Sequence, residues 1–458
     1  MKSSNEFNLK RVAATAAMLF MFTVNAGPAR AMNLADAYHA ALANDPASLA
    51  FGYALVAGRE KAVQGDALLK PRVNLEAGAA RVFDRQTGSS ASTAASLLPS
   101  QSSGTTQQAV VRMVQPLYDR AAEANRDQLH EQGNLARIEF SAARQTLALH
   151  VADAYFGVLV AQETVQVAQA EYTALRYQRD RAKARFDVGQ DKITDVEEAQ
   201  ARLDAVSTRV VTAMATLEMR RSQFREITGL EPDGLATLSE RFVPVPPQPA
   251  RLDDWQARGE ANATSVLARR SDLAVASAEL SKNRLASRPT LDLVGSVGAQ
   301  HQNGSLSPLV APNGERSASI GLMLTVPLYA GGAIDSRQRE AVAKMAQKEQ
   351  DLAAARRDAR LQVQEGYLAV LTGVSRIAAQ EQAVASARSA MEATSQGRDV
   401  GTRTALDVLD AQQRYYAAQL ELVQGRVEYL QGRLRLAAAA GELDEGRLRE
   451  MGPWLAAY

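Results

Sequence analysis

Residues 399–412 read Asp-Val-Gly-Thr-Arg-Thr-Ala-Leu-Asp-Val-Leu-Asp-Ala-Gln, and residues 187–200 read Asp-Val-Gly-Gln-Asp-Lys-Ile-Thr-Asp-Val-Glu-Glu-Ala-Gln. Asp187-Val188-Gly189, Asp195-Val196 and Ala199-Gln200 thus return as Asp399-Val400-Gly401, Asp407-Val408 and Ala411-Gln412, always 212 residues later. Val151, Tyr155 and Leu159 return in the same register as Val363, Tyr367 and Leu371. Pro116-Leu117-Tyr118 returns as Pro327-Leu328-Tyr329 at an offset of 211. Leu34, Asp36, Asn44, Leu49 and Pro71 return as Leu252, Asp254, Asn262, Leu267 and Pro289 at an offset of 218. The register jumps between paired prolines, so the first copy carries the longer loop there. A register held over so many positions marks an internal duplication.

Each of the two motifs lies inside a long proline-free interval. Of the fifteen prolines, none falls between Pro116 and Pro232, and none between Pro327 and Pro453. Proline breaks helix interiors, so such intervals predict very long helices. Residues 120–186 and 333–397 are rich in Ala, Gln and Leu with mixed charge; at ~1.5 Å per residue each reaches roughly 100 Å. Shorter helices are expected at 40–70, 194–228, 264–287 and 404–440. Two of them end to end match one long helix, which gives a coiled-coil-like wall with Ala allowing close approach and charged faces solvated on both sides. A solid four-helix bundle is the alternative, but it calls for larger core side chains.

Between the helices the period changes from 3.6 to two. Leu291, Leu293, Val297 and Ala299 alternate with Thr290, Asp292 and Ser296; Ala318, Ile320, Leu322, Leu324, Val326 and Leu328 alternate with Ser319, Gly321 and Thr325. The first copy shows Val73, Leu75, Ala77 and Ala79 against Asn74 and Glu76, then Val111 and Met113 against Arg112. Two hairpins are expected, at 72–117 and 289–328, around the Ser/Gly-rich stretches 88–104 and 302–314. Strands of ~10 residues or more with one apolar face suit a bilayer, lipid outside and lumen inside; a sheet on an ordinary core gives the same alternation. Four strands are too few to close a barrel. Lipid does not tolerate open sheet edges, so several chains would complete it together.

The N-terminus reads as a secretory signal. Lys2, Lys10 and Arg11 precede an apolar run over 12–24, which ends at Ala29-Arg30-Ala31. The run is too short to span a bilayer, which points to cleavage after residue 31 rather than a retained anchor. Removing four basic residues and one acidic residue from a chain of net +1 leaves −2. No basic footprint for nucleic acid is present. Zero cysteines exclude disulfides, thiolate metal sites and a lipidated Cys. His39, His130, His150 and His301 are scattered, and neither a phosphate loop nor a nucleophile elbow occurs, so no catalytic residues, metal or cofactor are expected. The chain divides into a first repeat over 32–240, an extended Pro-rich strap over 241–251 containing Arg-Phe-Val-Pro-Val-Pro-Pro-Gln-Pro, and a second repeat over 252–458 that ends in a short C-terminal segment.

With the segment Val400-Gly401-Thr402-Arg403-Thr404-Ala405-Leu406-Asp407-Val408-Leu409-Asp410-Ala411 and its partner at 186–196, the order of elements resembles the outer-membrane efflux protein family over essentially the whole mature chain. The resemblance implies a mixed, mainly α fold. Long antiparallel helices would form an α-barrel tunnel in the periplasm, and four strands per protomer would complete a 12-stranded transmembrane β-barrel of a homotrimer in outer-membrane lipid. It implies an exit duct of a tripartite export machine, partnered by a periplasmic adaptor (membrane fusion) protein and an inner-membrane ABC exporter or other efflux pump. The cargo would be an exported protein by type I secretion, toward which the tip motif and the missing lipidation Cys lean, or a drug by efflux. A non-pore periplasmic adaptor or scaffold is the alternative of another class, and the alternating hairpins argue against it.

Asp407 and Asp410 are three apart and share a helix face. Their spacing fits either helix-dipole stabilisation or a pore constriction, which the resemblance favours. By the same resemblance Arg403 matches the gating Arg, with Thr194 and Asp195 its partners on the neighbouring turn. Arg398 stands where the family has a gate Tyr, and it would pair with Asp195 directly. Gly189 and Gly401 match turn glycines that the adaptor contacts, and they serve equally as turn formers.

Overall fold

The computed structural model describes residues 32–85, 101–239, 241–304 and 314–456. The stretch expected to be a secretory signal, most of the Ser/Gly-rich loops and the last two residues lie outside the described residues. The first half contains α1 (Leu34–Asn44), α2 (Pro46–Ala67), β1 (Arg72–Arg85), β2 (Gln101–Tyr118), α3 (Arg120–Asp187) and α4 (Ile193–Thr228). After a short strand β3 (Thr237–Leu238), the second half repeats the order: α5 (Leu252–Asn262), α6 (Thr264–Leu285), β4 (Thr290–Gly304), β5 (Gly314–Thr325), α7 (Ala333–Asp399) and α8 (Ala405–Ala439). A short α9 (Glu445–Arg449) and β6 (Leu455–Ala456) end the chain.

The expected helix over 40–70 is instead two helices. Pro46 disfavours helical backbone at Asp45, which leaves α1 in an extended conformation with φ −69° and ψ 117° and becomes the N-cap of α2. Its carboxylate accepts from the Ser48 amide at 2.7 Å. Asn262-Ala263-Thr264 makes the same break between α5 and α6 without a proline, through an extended Ala263.

The two long helices, 68 and 67 residues, organise a single layer. α2 and α4 lie along one side of α3; α6 and α8 lie between α3 and α7. The layer is therefore four helices wide, two of its positions being filled by stacked pairs of shorter helices. Where α4 ends against the α1–α2 junction, Asn44 Nδ2 donates to the Glu226 carbonyl at 3.1 Å, satisfying a terminal acceptor. Large side chains gather at mid-height, where Tyr155, Phe156, Phe224, Tyr429, Leu430 and Leu434 are fully buried. Two repeat-related tyrosines tie the long helices to this belt. Tyr155 donates to the carbonyls of Met32 and Ala236 at 3.0 and 2.9 Å, and Tyr367 donates to that of Ala250 at 2.5 Å. The strap is held by the C-terminal segment: Trp454 Nε1 donates to the Val243 carbonyl at 2.8 Å, and β6 pairs with β3. The protomer exposes 28740 Å², against roughly 17,000 Å² for a compact chain of its mass. It is a wall rather than a globule.

The strands form one antiparallel sheet in the order β1-β2-β4-β5, so among the described residues β1 and β5 are free edges. Register aligns the alternation across all four strands: Leu75, Val111, Val297 and Ala318 sit opposite one another, and Asn74, Arg112, Ser296 and Ser319 form the next row on the other face. One face is apolar and the other polar; Ser296 and Ser319 share a 2.8 Å hydrogen bond there. Among the described residues neither face is covered within the protomer, and Ile320, Leu322 and Leu324 are each more than three-fifths exposed. Among the described residues no helix is long and apolar enough to cross a membrane.

Candidate functional site at the helical tip

The two quoted motifs meet at the end of the wall farthest from the sheet. Each long helix stops at a glycine in the left-handed region, Gly189 at φ 76° and Gly401 at φ 81°. Closure is the same in both. Gly189 N donates to the Phe186 carbonyl and Gln190 N to that of Arg185, while Gly401 N donates to Arg398 and Thr402 N to Gly397. A side chain at either glycine would meet nothing within 4 Å, so glycine is required here by backbone conformation, not by crowding.

The returning helices start differently. α8 opens with a capping box: Thr404 Oγ1 accepts from the Asp407 amide at 3.1 Å, and the Asp407 carboxylate accepts from the Thr404 amide at 2.8 Å. The hydrogen bonds from Thr404 hold the Asp407 carboxyl below the ordinary aspartate range, with Arg403 and Arg414 adding smaller contributions. α4 opens on Lys192, which makes no side-chain cap.

Arginines join the two helical hairpins. Arg398, in the last turn of α7, has a side chain only 7% exposed and donates to Asp191 at 3.2 Å and to Gln178 at 3.1 Å. Arg185 approaches the other oxygen of Asp191 at 3.4 Å. Arg181 of α3 bonds Asp399 at the foot of α7. Arg202 of α4 bonds Asp410 at 2.8 Å and Gln413 at 2.6 Å, both on α8. Beneath these links Leu409 packs with Leu175, Ala199, Leu203 and Val206.

The expected Arg398–Asp195 pair is therefore replaced. Arg398 points along the end of α3, and the intervening turn brings Asp191 to it. Asp195 sits one turn further on, half-buried in the first turn of α4, with no side-chain partner among the described residues. Thr194 is exposed and equally unbonded, and the exposed Arg403 makes no side-chain hydrogen bond or ion pair among the described residues of the protomer. Asp407 and Asp410 serve different ends, the first closing a cap and the second meeting Arg202. Sequence reading missed Gln178, Asp191 and Arg202. Gln178 carried a signal, since it shares one seam with Leu175 and Ala182, and a polar group there requires a partner.

The family model for outer membrane efflux proteins matches residues 37–230 and 258–442, once in each repeat. The outer membrane protein TolC of Vibrio cholerae is 34% identical over 417 residues, covering 91% of this chain and 92% of that one. The alkaline protease secretion protein AprF of Pseudomonas aeruginosa is 30% identical over 420 residues, covering 91% and 86%. In fold, the chain matches the crystal structure of the outer membrane protein VceC from Vibrio cholerae with a TM-score of 0.74 at 18% identity, covering 89% of this chain and 96% of that one. The chain belongs to the outer membrane efflux protein family: it is an efflux channel of the TolC type, resident in the outer membrane.

Proposed function

We propose that three copies of this chain form one exit duct, whose 12-stranded barrel is made from three four-stranded sheets and whose periplasmic tunnel is walled by the helices. The observation that carries this reading is the sheet: apolar on one face, polar on the other, and unpaired at both edges. Three such sheets joined β1 to β5 leave no edge in lipid. The unusually large exposed surface is of the kind that assembly covers.

At the tip, Thr194, Asp195, Arg398 and Arg403 hold the tunnel closed. Arg398 works within the protomer through Asp191, while Arg403 is free to reach Thr194 and Asp195 of a neighbouring copy. Asp407 and Asp410 line the constriction, where threefold symmetry gathers six carboxylates and disfavours anions. Gly189 and Gly401 present the open turn surfaces that a periplasmic adaptor contacts, bringing an inner-membrane ABC exporter beneath the tip. The cargo is a protein exported by type I secretion, a reading supported by the similarity to a protease secretion protein.

Chemical crosslinking and mass measurement of the detergent-extracted protein should give a trimer in the outer-membrane fraction; a soluble periplasmic monomer would rule out the duct. In planar bilayers, Asp407→Asn with Asp410→Asn should raise anion permeability. Secretion is tested by placing the chain in strains that lack the outer-membrane component of either a type I exporter or a drug pump. Rescue of drug efflux alone would remove the secretion assignment.

A further inference from the structure

Arg202 is placed to cover one member of the acidic ring. All three kinds of guanidinium nitrogen are engaged: Nη2 donates to Asp410 at 2.8 Å, Nη1 to Gln413 at 2.6 Å and Nε to Glu198 at 3.2 Å. Asp410 and Gln413 stand one turn apart on α8, and Glu198 stands one turn back on α4, so the fork is fixed from two helices at once. Asp407 has no such partner; its carboxylate is turned to its own N-cap, and the nearby Arg403 makes no bond to it. The side chains of Arg202 and Asp410 are 32% and 45% exposed. An ion pair this wet adds little to stability, but its charges still act on ions passing in the same water.

We propose that Arg202 is a specificity-determining residue, which sets the charge of the constriction by covering Asp410. With Arg202 in place, the Glu198–Arg202–Asp410 group carries one net negative charge per protomer instead of two. A threefold ring then presents three fewer negative charges than its carboxylates alone supply. The constriction stays cation-preferring through Asp407, while the barrier to anionic cargo is lowered. This rests on the reading of Asp407 and Asp410 as the constriction.

The test uses the whole channel in planar bilayers, with reversal potential in a KCl gradient and block by hexaamminecobalt(III) as readouts. Arg202→Gln should increase cation preference and tighten block on the order of tenfold, since one charge is uncovered on every protomer. Arg202→Lys keeps the charge without the fork and should stay within about twofold of wild type. Arg221→Gln, which removes a cation about 28 Å higher on α4, should leave block unchanged. Loosening of the tip alone would widen the pore and weaken block, the opposite sign. Unchanged or weaker block in Arg202→Gln, or Lys behaving like Gln, would overturn the proposal. If Asp407→Asn and Asp410→Asn leave block untouched, the constriction reading itself falls; weakened block there with no response to Arg202→Gln removes only the role of Arg202.

Discussion

Asp191→Asn isolates the link between the two helical hairpins at the tip. The substitution keeps the size of the side chain and removes the charge that Arg398 faces across 3.2 Å. Breaking a fully buried pair from one side costs about 3–5 kcal/mol. Asp191 is 13% exposed, Asn retains an acceptor, and Arg185 loses the same partner, so about 2 kcal/mol is a fitting figure for this site. That corresponds to about a 30-fold change in an equilibrium constant. The tip of one protomer, if closed 99 parts in 100, would then be open nearly a quarter of the time. Single-channel recording should show this as a new, frequently visited state of higher conductance, with thermal stability of the assembly nearly unchanged because the mid-height belt is untouched. Wild-type dwell times in Asp191→Asn would refute the reasoning. So would a larger effect from Asp195→Asn, which would return the latch to the residue favoured by sequence alone.

Three further outcomes follow from features elsewhere. Leu322→Arg places a charge on the apolar face of the sheet and should cost about 2–4 kcal/mol of barrel stability near the bilayer midplane, whereas Ser319→Arg on the polar face should be tolerated; urea unfolding in lipid bilayers compares them, and equal losses would contradict the assignment of faces. Gly441→Ala should be more damaging than Gly229→Ala, although both positions have positive φ: the added methyl would collide with the Asn262 carbonyl oxygen in the first case but press on the movable Asn44 side chain in the second, so a loss of at least about 3 kcal/mol is expected for Gly441→Ala from thermal melts. Because the Asp407 carboxyl titrates below its ordinary 3.8, its contribution to the α8 cap is fully present above that value and is lost as pH falls through the lowered one. Amide exchange at the start of α8 should stay protected through mild acid, and Thr404→Ala should move the loss of protection to higher pH.

The long helices were legible because proline spacing is a hard constraint: both begin where the proline-free intervals predict and end within two residues of the expected positions. The sheet was legible because period two survives in the sequence, and its register was then decided by matching apolar rows. The α1–α2 break was legible in principle through Asp45-Pro46, but a continuous helical composition on either side masked it. The pairing of β6 with β3 joins residues more than two hundred positions apart through strands of two residues each, too short to leave a pattern. At the tip, the turn glycines are local chemistry and could be read directly, whereas Asp407 was read for its charge and its cap with Thr404 emerged only from the structure. The partner of Arg398 could not, because the choice between Asp191 and Asp195 depends on how one hairpin docks on the other.

Duplication made the two tip turns alike in path, but position 192 is Lys where position 404 is Thr, and only the second turn is clamped by a side-chain cap. In a threefold ring, six turns of nearly identical shape would alternate between those held by their own cap and those held only through Asp191 by Arg398 and Arg185, which become the compliant set once that link breaks. An opening motion would then be carried by three of them pivoting against the other three, as in a three-leaved iris. A partner that engages all six would meet two mechanically different surfaces, and it could gain leverage only on the softer set.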